Sequence, residues 1–305
     1  MKVFEKINKP VTHIVCYSGG HSSAKVAMNV SKFMREEDSL VLLNHDINPN
    51  VEHWDIKRFK KDVSDAINTP ITFANYKGIE SCEDIPDQFD VAQLIGGFKF
   101  GNGTELCTHR LKTEPFQKYL EEHFPVGDTG VRDDVVIYYG FDADETKRIQ
   151  RRSSILGQMG YMSDYPLALW EDTDHTIVED TGILPPLTYK VIDDDNTYGA
   201  WKHANCMGCL KAGKQHWYAT YVARPDLFEK AKQTEEIIGY SIIRGVYLDE
   251  LEEVFAEMKQ AGIPATEHID GRKFWAMVRK VVDKGEDLDA IFEGAENEKP
   301  CECVF

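Results

Sequence analysis

Apolar and polar positions alternate between two periods along the first half of the chain. Residues 12–17 (T-H-I-V-C-Y) form a short run of β-favouring side chains, broken by Ser18-Gly19-Gly20. From residue 22 to 34, Ala24, Ala27, Met28 and Val30 recur at near-helical spacing. Residues 39–44 (S-L-V-L-L-N) are almost continuously apolar, as in a strand buried on both faces. Residues 53–67 predict an amphipathic helix carrying Trp54, Ile56, Phe59, Val63 and Ile67 at its apolar positions. Residues 70–74 give another short strand. Residues 135–140 (V-V-I-Y-Y-G) give a strand and a turn, followed by a charged helix over 144–156. Strands alternating with helices predict an α/β fold with a parallel sheet.

The second half has a different rhythm. Residues 171–195 are acidic and interrupted by Gly182 and Pro185-Pro186, which predicts a connecting loop. Beyond Cys209, helical spacing returns over 215–223, 226–238, 249–260 and 271–282. The division expected is an α/β domain over 1–200 and a helical, cysteine-bearing segment over 201–305 that ends in a polar, mobile tail. Trp54, Trp170, Trp201 and Trp275 are expected as core or half-buried anchors.

Composition narrows the function classes. The chain has 305 residues, 42% of them hydrophobic, enough for a sizeable core. Its formal charge of −17 argues against broad nucleic-acid coating but allows a local basic pocket. No apolar run approaches the roughly 18 residues that span a bilayer, and the first residues lack a signal-peptide pattern. A cytoplasmic location follows as the expectation. In a reducing compartment, the seven cysteines point to metal or redox chemistry before structural disulfides.

The first chemical signal is Ser18-Gly19-Gly20-His21-Ser22-Ser23, set between a strand and a helix. Paired glycines let the backbone turn tightly, and the helix start offers unpaired N–H groups to an anion. The three serines can add hydroxyl donors, and His21 can touch the ligand. The loop is neither a Walker loop nor G-x-G-x-x-G. A second signal is Arg148, Arg151 and Arg152, which fall near one helical face and suit phosphate or sulfate oxygens. The alternative for both is structural: a glycine turn with a serine cap, and a solvated helix face.

The loop resembles the PP-loop, S-G-G-x-[DS]-S, of the adenine-nucleotide α-hydrolase-like superfamily. Ser22 stands where its ATP-cleaving members, the ATP pyrophosphatases, usually carry Asp. Asn44-His45-Asp46-Ile47-Asn48 and Glu52 resemble the family's second strand end. Gly140-Phe141-Asp142-Ala143-Asp144-Glu145 with Arg148 resembles the G-x-x-A-D-E-x-x-R element of the phosphoadenosine phosphosulfate (PAPS) reductase-like branch. The resemblance implies a three-layer, Rossmann-like domain. It also implies an adenine nucleotide held by Ser18 to Ser23, Asp46, Gly140 and the arginines.

The cysteines extend it. Two thiolates in Cys206-Met207-Gly208-Cys209 can share one metal ion or cluster, or act as a redox pair. The segment from Cys107 through Lys112 to Pro115 resembles the C-C-x-x-x-K-x-x-P element of iron–sulfur adenylyl sulfate reductases, with Thr108 in the second cysteine's place. Cys107, Cys206 and Cys209 are thus three expected ligands. The open readings are a [4Fe–4S] cluster with one open iron, a fourth ligand from His109, His203, Cys301 or Cys303, or zinc. Lys112 could tune a cluster or bind substrate phosphate. Cys303, in a Glu-Cys setting like the family's tail cysteine, is the expected nucleophile, alternatively an incidental tail thiol.

Reduction of an adenylyl sulfate to sulfite, with a thioredoxin-type reductant, is the leading expectation. The alternatives are ATP-dependent adenylation of a base or nucleic acid for sulfur transfer, and a non-catalytic nucleotide sensor with structural zinc. A homodimer is allowed by the sequence.

Overall fold

The computed structural model describes residues 2–99, 106–171, 181–189, 200–204 and 206–282. Five strands form one sheet: β1 (Thr12–Cys16), β2 (Ser39–Asn44), β3 (Ile71–Phe73), β4 (Arg132–Tyr138) and β5 (Tyr161–Asp164). Their order is β3-β2-β1-β4-β5 and every pairing is parallel, with Thr12 opposite both Ser39 and Val135. The α/β class is as expected. The edge strand β5 is an addition, for its four residues (Y-M-S-D) carry too little pattern to stand out.

Side-chain alternation along the central strands builds three layers. Val15 and Tyr17, with Val136 and Tyr138, face helices α1 (His21–Phe33) and α2 (Trp54–Ala66), packing on Ala24, Ala27, Val30, Phe59 and Val63. Ile14 and Cys16, with Val135, Ile137 and Tyr139, point the other way. There they meet Phe116 and Leu120 of the helix over Glu114–His123 and Leu156 of α5 (Thr146–Gln158). Each such fully buried apolar side chain contributes about 1.5–3 kcal/mol. Trp54 departs from expectation. It opens α2 on the solvent side, 56% exposed, with its ring stacked on His53.

After β3 comes α3 (Gln88–Ile95), started by Asp87, whose carboxylate accepts from the Phe89 and Asp90 amides. Helix α4 begins at Leu106–Thr108, passes through a π-helical turn at His109–Thr113, and continues over Glu114–His123. A π turn inside an α-helix is uncommon and often marks a functional position. This one contains Lys112.

The C-terminal helices α6 (Lys214–Ala223), α7 (Pro225–Ile238), α8 (Leu248–Gln260) and α9 (Gly271–Val281) lie close to the expected spans. Pro225 sits at the start of α7, where its missing N–H costs nothing, and Gly239 ends that helix in the left-handed region. Their core gathers Trp217, Tyr218, Phe255, Phe274 and Trp275, and it also takes in Val51, Phe89 and Ala92 from the α/β half. Lys230 bonds Asp87 and Asp90, and Gln93 bonds Thr234, so α3 runs alongside α7 in the same direction. The C-terminal helices are therefore anchored chiefly on α3, which follows β3, and on Val51 after β2. No helix among the described residues is long and apolar enough to cross a membrane.

Candidate functional site: a backbone cradle at the switch point of the sheet

In a parallel sheet of this order the chain leaves β1 toward β2 and later returns on the other side as β4. The two connections diverge there and open a crevice at the strands' carboxyl ends. Residues 18–23 stand at the end of β1, and Gly140 follows β4, so both expected elements flank this crevice.

Glycine is required at two places. Gly19 has φ +82°, and a Cβ there would lie 2.6 and 2.8 Å from Cγ and Cδ of Lys60. A Cβ on Gly140 would lie 2.8 Å from the carbonyl carbon of Ser22 and 2.9 Å from the nitrogen of Ser23. The β4 connection thus rests directly on the first turn of α1. Inside the loop the Ser18 hydroxyl donates to Ser23 Oγ at 3.2 Å, and Ser23 Oγ donates to the Gly20 carbonyl at 2.8 Å. These two serines shape the loop. Among the described residues no hydrogen bond takes the amides of Gly19, Ser22 or Ser23. The arrangement offers converging N–H groups at the positive end of a 13-residue helix, which suits an anion. His21 is kept neutral by burial and by the nearby Lys25 charge, which both lower its pKa.

Charged side chains line the β2 side. Asp46 accepts from Lys57 Nζ at 2.6 Å, and Glu52 accepts from Lys60 Nζ at 3.0 Å and from Lys57 at 3.1 Å. Lys60 and Glu52 are almost fully buried. Burial works against the charge of Lys57, but the two carboxylates outweigh it and raise its pKa. The stem of Lys60 forms the floor under Gly19. Sequence reasoning picked out Asp46 and Glu52 but not their lysine partners, whose i, i+3 placement on α2 resembles an ordinary solvated face.

On the β4 side, Arg148 pairs with Glu145 and its guanidinium lies 4.6 Å from the Phe141 ring centre. Arg152 lies 5.1 Å from the centre of Tyr139. Tyr139, Phe141 and Tyr165 stack on one another beneath them. Two of the three arginines are therefore braced by aromatic rings next to the crevice, while Arg151 is exposed. The chain matches no family model, no curated protein and no solved structure.

Of the five described cysteines, Cys16 lies in β1 and Cys82 follows β3, and the other three are the expected ligands. Cys107 and Cys206 pack against the helical core, and Cys209 lies against Ala212. The Cys206–Cys209 turn is gripped from three directions. Met207 N donates to the Val51 carbonyl at 2.7 Å, and Gln88 Nε2 donates to the carbonyls of Met207 and Gly208. His216 Nε2 accepts from the Cys209 amide at 3.0 Å while Nδ1 bonds Glu267 at 2.8 Å, which places the ring proton on Nδ1. Gly208, at φ +69°, lets the turn close on Phe89. Among the described residues no three His, Cys, Asp or Glu side chains stand together as a group able to hold a metal ion. Cys301 and Cys303 lie outside the described residues.

Lys112 lies near enough to His45 for its charge to matter. Burial lowers the His45 pKa, a bond to the Ala74 carbonyl partly offsets this, Lys112 lowers it further, and the result is about 4. Lys112 and the β2 end thus face the same region. Cys82 is also there. Burial raises its thiol pKa, with Lys57 and Asp46 acting in opposite senses.

Proposed function

We propose that the chain binds the phosphate–sulfate end of an adenine nucleotide at residues 18–23 and performs sulfur chemistry on it, as PAPS reductase-like enzymes do. The observation that carries this reading is the backbone cradle at the sheet's switch point, closed by Gly140 and flanked by Arg148 and Arg152. In the reductive reaction a thiolate attacks the sulfur of an adenylyl sulfate. An S–S bond forms, the S–O bond breaks, and the nucleotide leaves with the electron pair. A second thiol, from a thioredoxin-type dithiol, then attacks the bound sulfur atom's partner. This forms a disulfide and releases sulfite, so two thiols supply the two electrons. Cys303 is the attacking thiol expected from the sequence. The cradle amides and arginines offset the leaving phosphate's charge, and Lys112 adds a cation at the β2 side.

Calorimetry with adenosine 5′-phosphosulfate, PAPS and ATP tests the binding, and sulfite release tests the reaction. Sulfite from either sulfated nucleotide supports the reductase. Pyrophosphate released from ATP assigns adenylation for sulfur transfer instead, and binding without turnover assigns a sensor. Anaerobic metal analysis of the wild type beside Cys107→Ser, Cys206→Ser and Cys209→Ser decides between iron–sulfur, zinc and thiol chemistry alone.

A further inference from the structure

Helix α9 carries charge of one sign. Over Gly271–Val281 it has the cations Arg272, Lys273, Arg279 and Lys280 and no carboxylate. At about 100° per residue these four, with Ala276 between them, fall within an arc of about 120°. The opposite side, made of Phe274, Trp275 and Val278, is fully buried in the helical core. Arg272, Lys273, Ala276 and Lys280 are exposed, and Arg279 is half-buried. Among the described residues the side chains of Arg272, Lys273 and Lys280 enter no hydrogen bond or ion pair. A merely solvated helix face usually mixes the two signs. Helix α8 (L-D-E-L-E-E-V-F-A-E-M-K-Q) is sorted the other way, with carboxylates against Lys259 alone. In a chain of formal charge −17, α9 is thus a confined positive stripe. Arg272 and Lys273 lie in its first turn, at the positive end of the helix dipole, where cations cost stability. The fold itself does not call for them there.

The stripe begins beside the site. Just ahead of α9, Glu267 bonds His216, the residue whose ring accepts from the Cys209 amide. His268 Nε2 donates to the Thr188 carbonyl at 2.9 Å, and the next residue, Tyr189, accepts from the His21 amide at 3.4 Å through its hydroxyl oxygen. Arg272 therefore follows closely on contacts to the cysteine turn and to the segment that reaches the cradle. From Arg272 to Lys280 the stripe runs about 12 Å, the length over which one strand of a duplex places about three to four phosphates.

We propose that the exposed face of α9 docks the phosphodiester backbone of a nucleic acid and lays it toward the cysteine turn. Charge complementarity selects a polyanion. Burial of Phe274, Trp275 and Val278 leaves this face without the apolar anchors that centre a protein interface, and without an apolar side to enter a membrane. A row of phosphates needs neither. The proposal goes beyond the nucleotide reading and does not depend on it.

Fluorescence anisotropy of the full chain tests it, with a fluorescein-labelled DNA duplex of about 20 base pairs and a single-stranded RNA of the same length, between about 50 and 200 mM salt. Contact with four cations releases about three to four counterions, so wild-type affinity for the strand it binds falls about a hundredfold over that range. The paired variants Arg272→Gln with Lys273→Gln, and Arg279→Gln with Lys280→Gln, each keep two cations, so their affinity falls only about tenfold. Lys61→Gln, which removes an exposed cation of α2, binds like wild type. Thermal melts check the fold, which substitutions at exposed positions rarely disturb, and the first pair decides alone if the second does not fold. A wild type that binds neither strand at low salt overturns the proposal, as do paired variants that keep the wild-type salt dependence. Poly-L-glutamate of matched charge that binds as tightly assigns an acidic protein partner instead and overturns it too. Adenine-nucleotide binding is read separately by calorimetry, so failure of the cradle and failure of α9 are distinct results.

Discussion

Replacing Gly140 by alanine puts a methyl carbon 2.8–3.0 Å from three main-chain atoms of Ser22 and Ser23. None of these is the far end of a flexible side chain, so relief needs a shift of either the β4 connection or the first turn of α1. Strand β4 is paired on both sides and α1 packs through Ala24, Ala27 and Val30, so neither moves cheaply. Overpacking of this kind costs about 1–3 kcal/mol. At roughly 2–4 °C per kcal/mol for a chain of this size, the melting temperature should fall by a few to about ten degrees. The chain stays folded, because a domain holds about 5–15 kcal/mol in reserve. The shift falls on the Ser22 and Ser23 amides, and loss of one hydrogen bond to an anion costs about 1.5–3 kcal/mol, roughly ten- to hundredfold in affinity. Gly157→Ala is the control. It lies in α5 with no atom within 4 Å of a Cβ, and alanine there should stabilise by about 0.5–1 kcal/mol without touching affinity. Calorimetric titration with adenosine 5′-phosphosulfate and a thermal melt read both quantities. A Gly140→Ala protein that melts and binds like wild type refutes the contact between the β4 connection and the cradle.

The quartet beneath Gly19 gives a signed test, since Lys57, Lys60, Asp46 and Glu52 sum to zero charge. Glu52→Gln leaves a net positive charge and Lys60→Met a net negative one. At an effective dielectric of about 20 and a separation of roughly 8 Å, one unit charge shifts anion binding by about 2 kcal/mol. Nucleotide affinity should therefore rise about tenfold or more in Glu52→Gln and fall comparably in Lys60→Met, while each loses about 3–5 kcal/mol of stability; affinities that move the same way refute the arrangement. Burial is the main cause of the depressed pKa values of His13, His21, His45 and His53. Such groups are neutral when folded and take up protons on unfolding below about 6.5, so the unfolded chain binds more protons and stability falls as pH drops from about 6.5 toward 4. Urea midpoints measured from pH 7 to 5 should decline, and a flat profile contradicts the burial of these rings. Glu267→Gln weakens the carboxylate that orients His216 and should loosen the Cys209 amide, seen as faster exchange at that residue with little change in loop 18–23.

The sheet was legible because its signal is local. Residues 39–44 and 135–140 are apolar runs too short for helices and bounded by polar or glycine punctuation, and each became a central strand, the second reaching further back to Arg132. Helices α7 to α9 were legible for the same reason, since each buries one stripe, whereas α6 is buried over most of its surface. What failed was local as well. Trp54 satisfied the apolar period of α2, yet it opens the helix's first turn, where it is 56% exposed with its ring stacked on His53. Strand β5 and helix α3 are short and take their stability from tertiary contacts, the one from β4 and the other from α7, so neither has a pattern of its own.

The site divides along the same line. Ser18 to Ser23 and Gly140 were visible because close backbone approach demands glycine, and glycine leaves a mark in any sequence. The contacts that hold the cysteine turn had no such mark. Val51 stands 156 positions before Met207, Gln88 119 before it, His216 7 after Cys209 and Glu267 a further 51 on; they share no motif, and each acts through an ordinary side chain or carbonyl. Tyr189 is the sharpest case. It sits in an acidic, proline-broken stretch whose composition predicts only a connection, and composition carries no information about where one phenol oxygen ends. Its place is decided by Asp55, Trp201 and His268, three residues from three separate elements. A contact of this kind, in which one hydroxyl meets the main-chain amide of His21 from 168 positions away, becomes visible only once the fold has brought the two segments together.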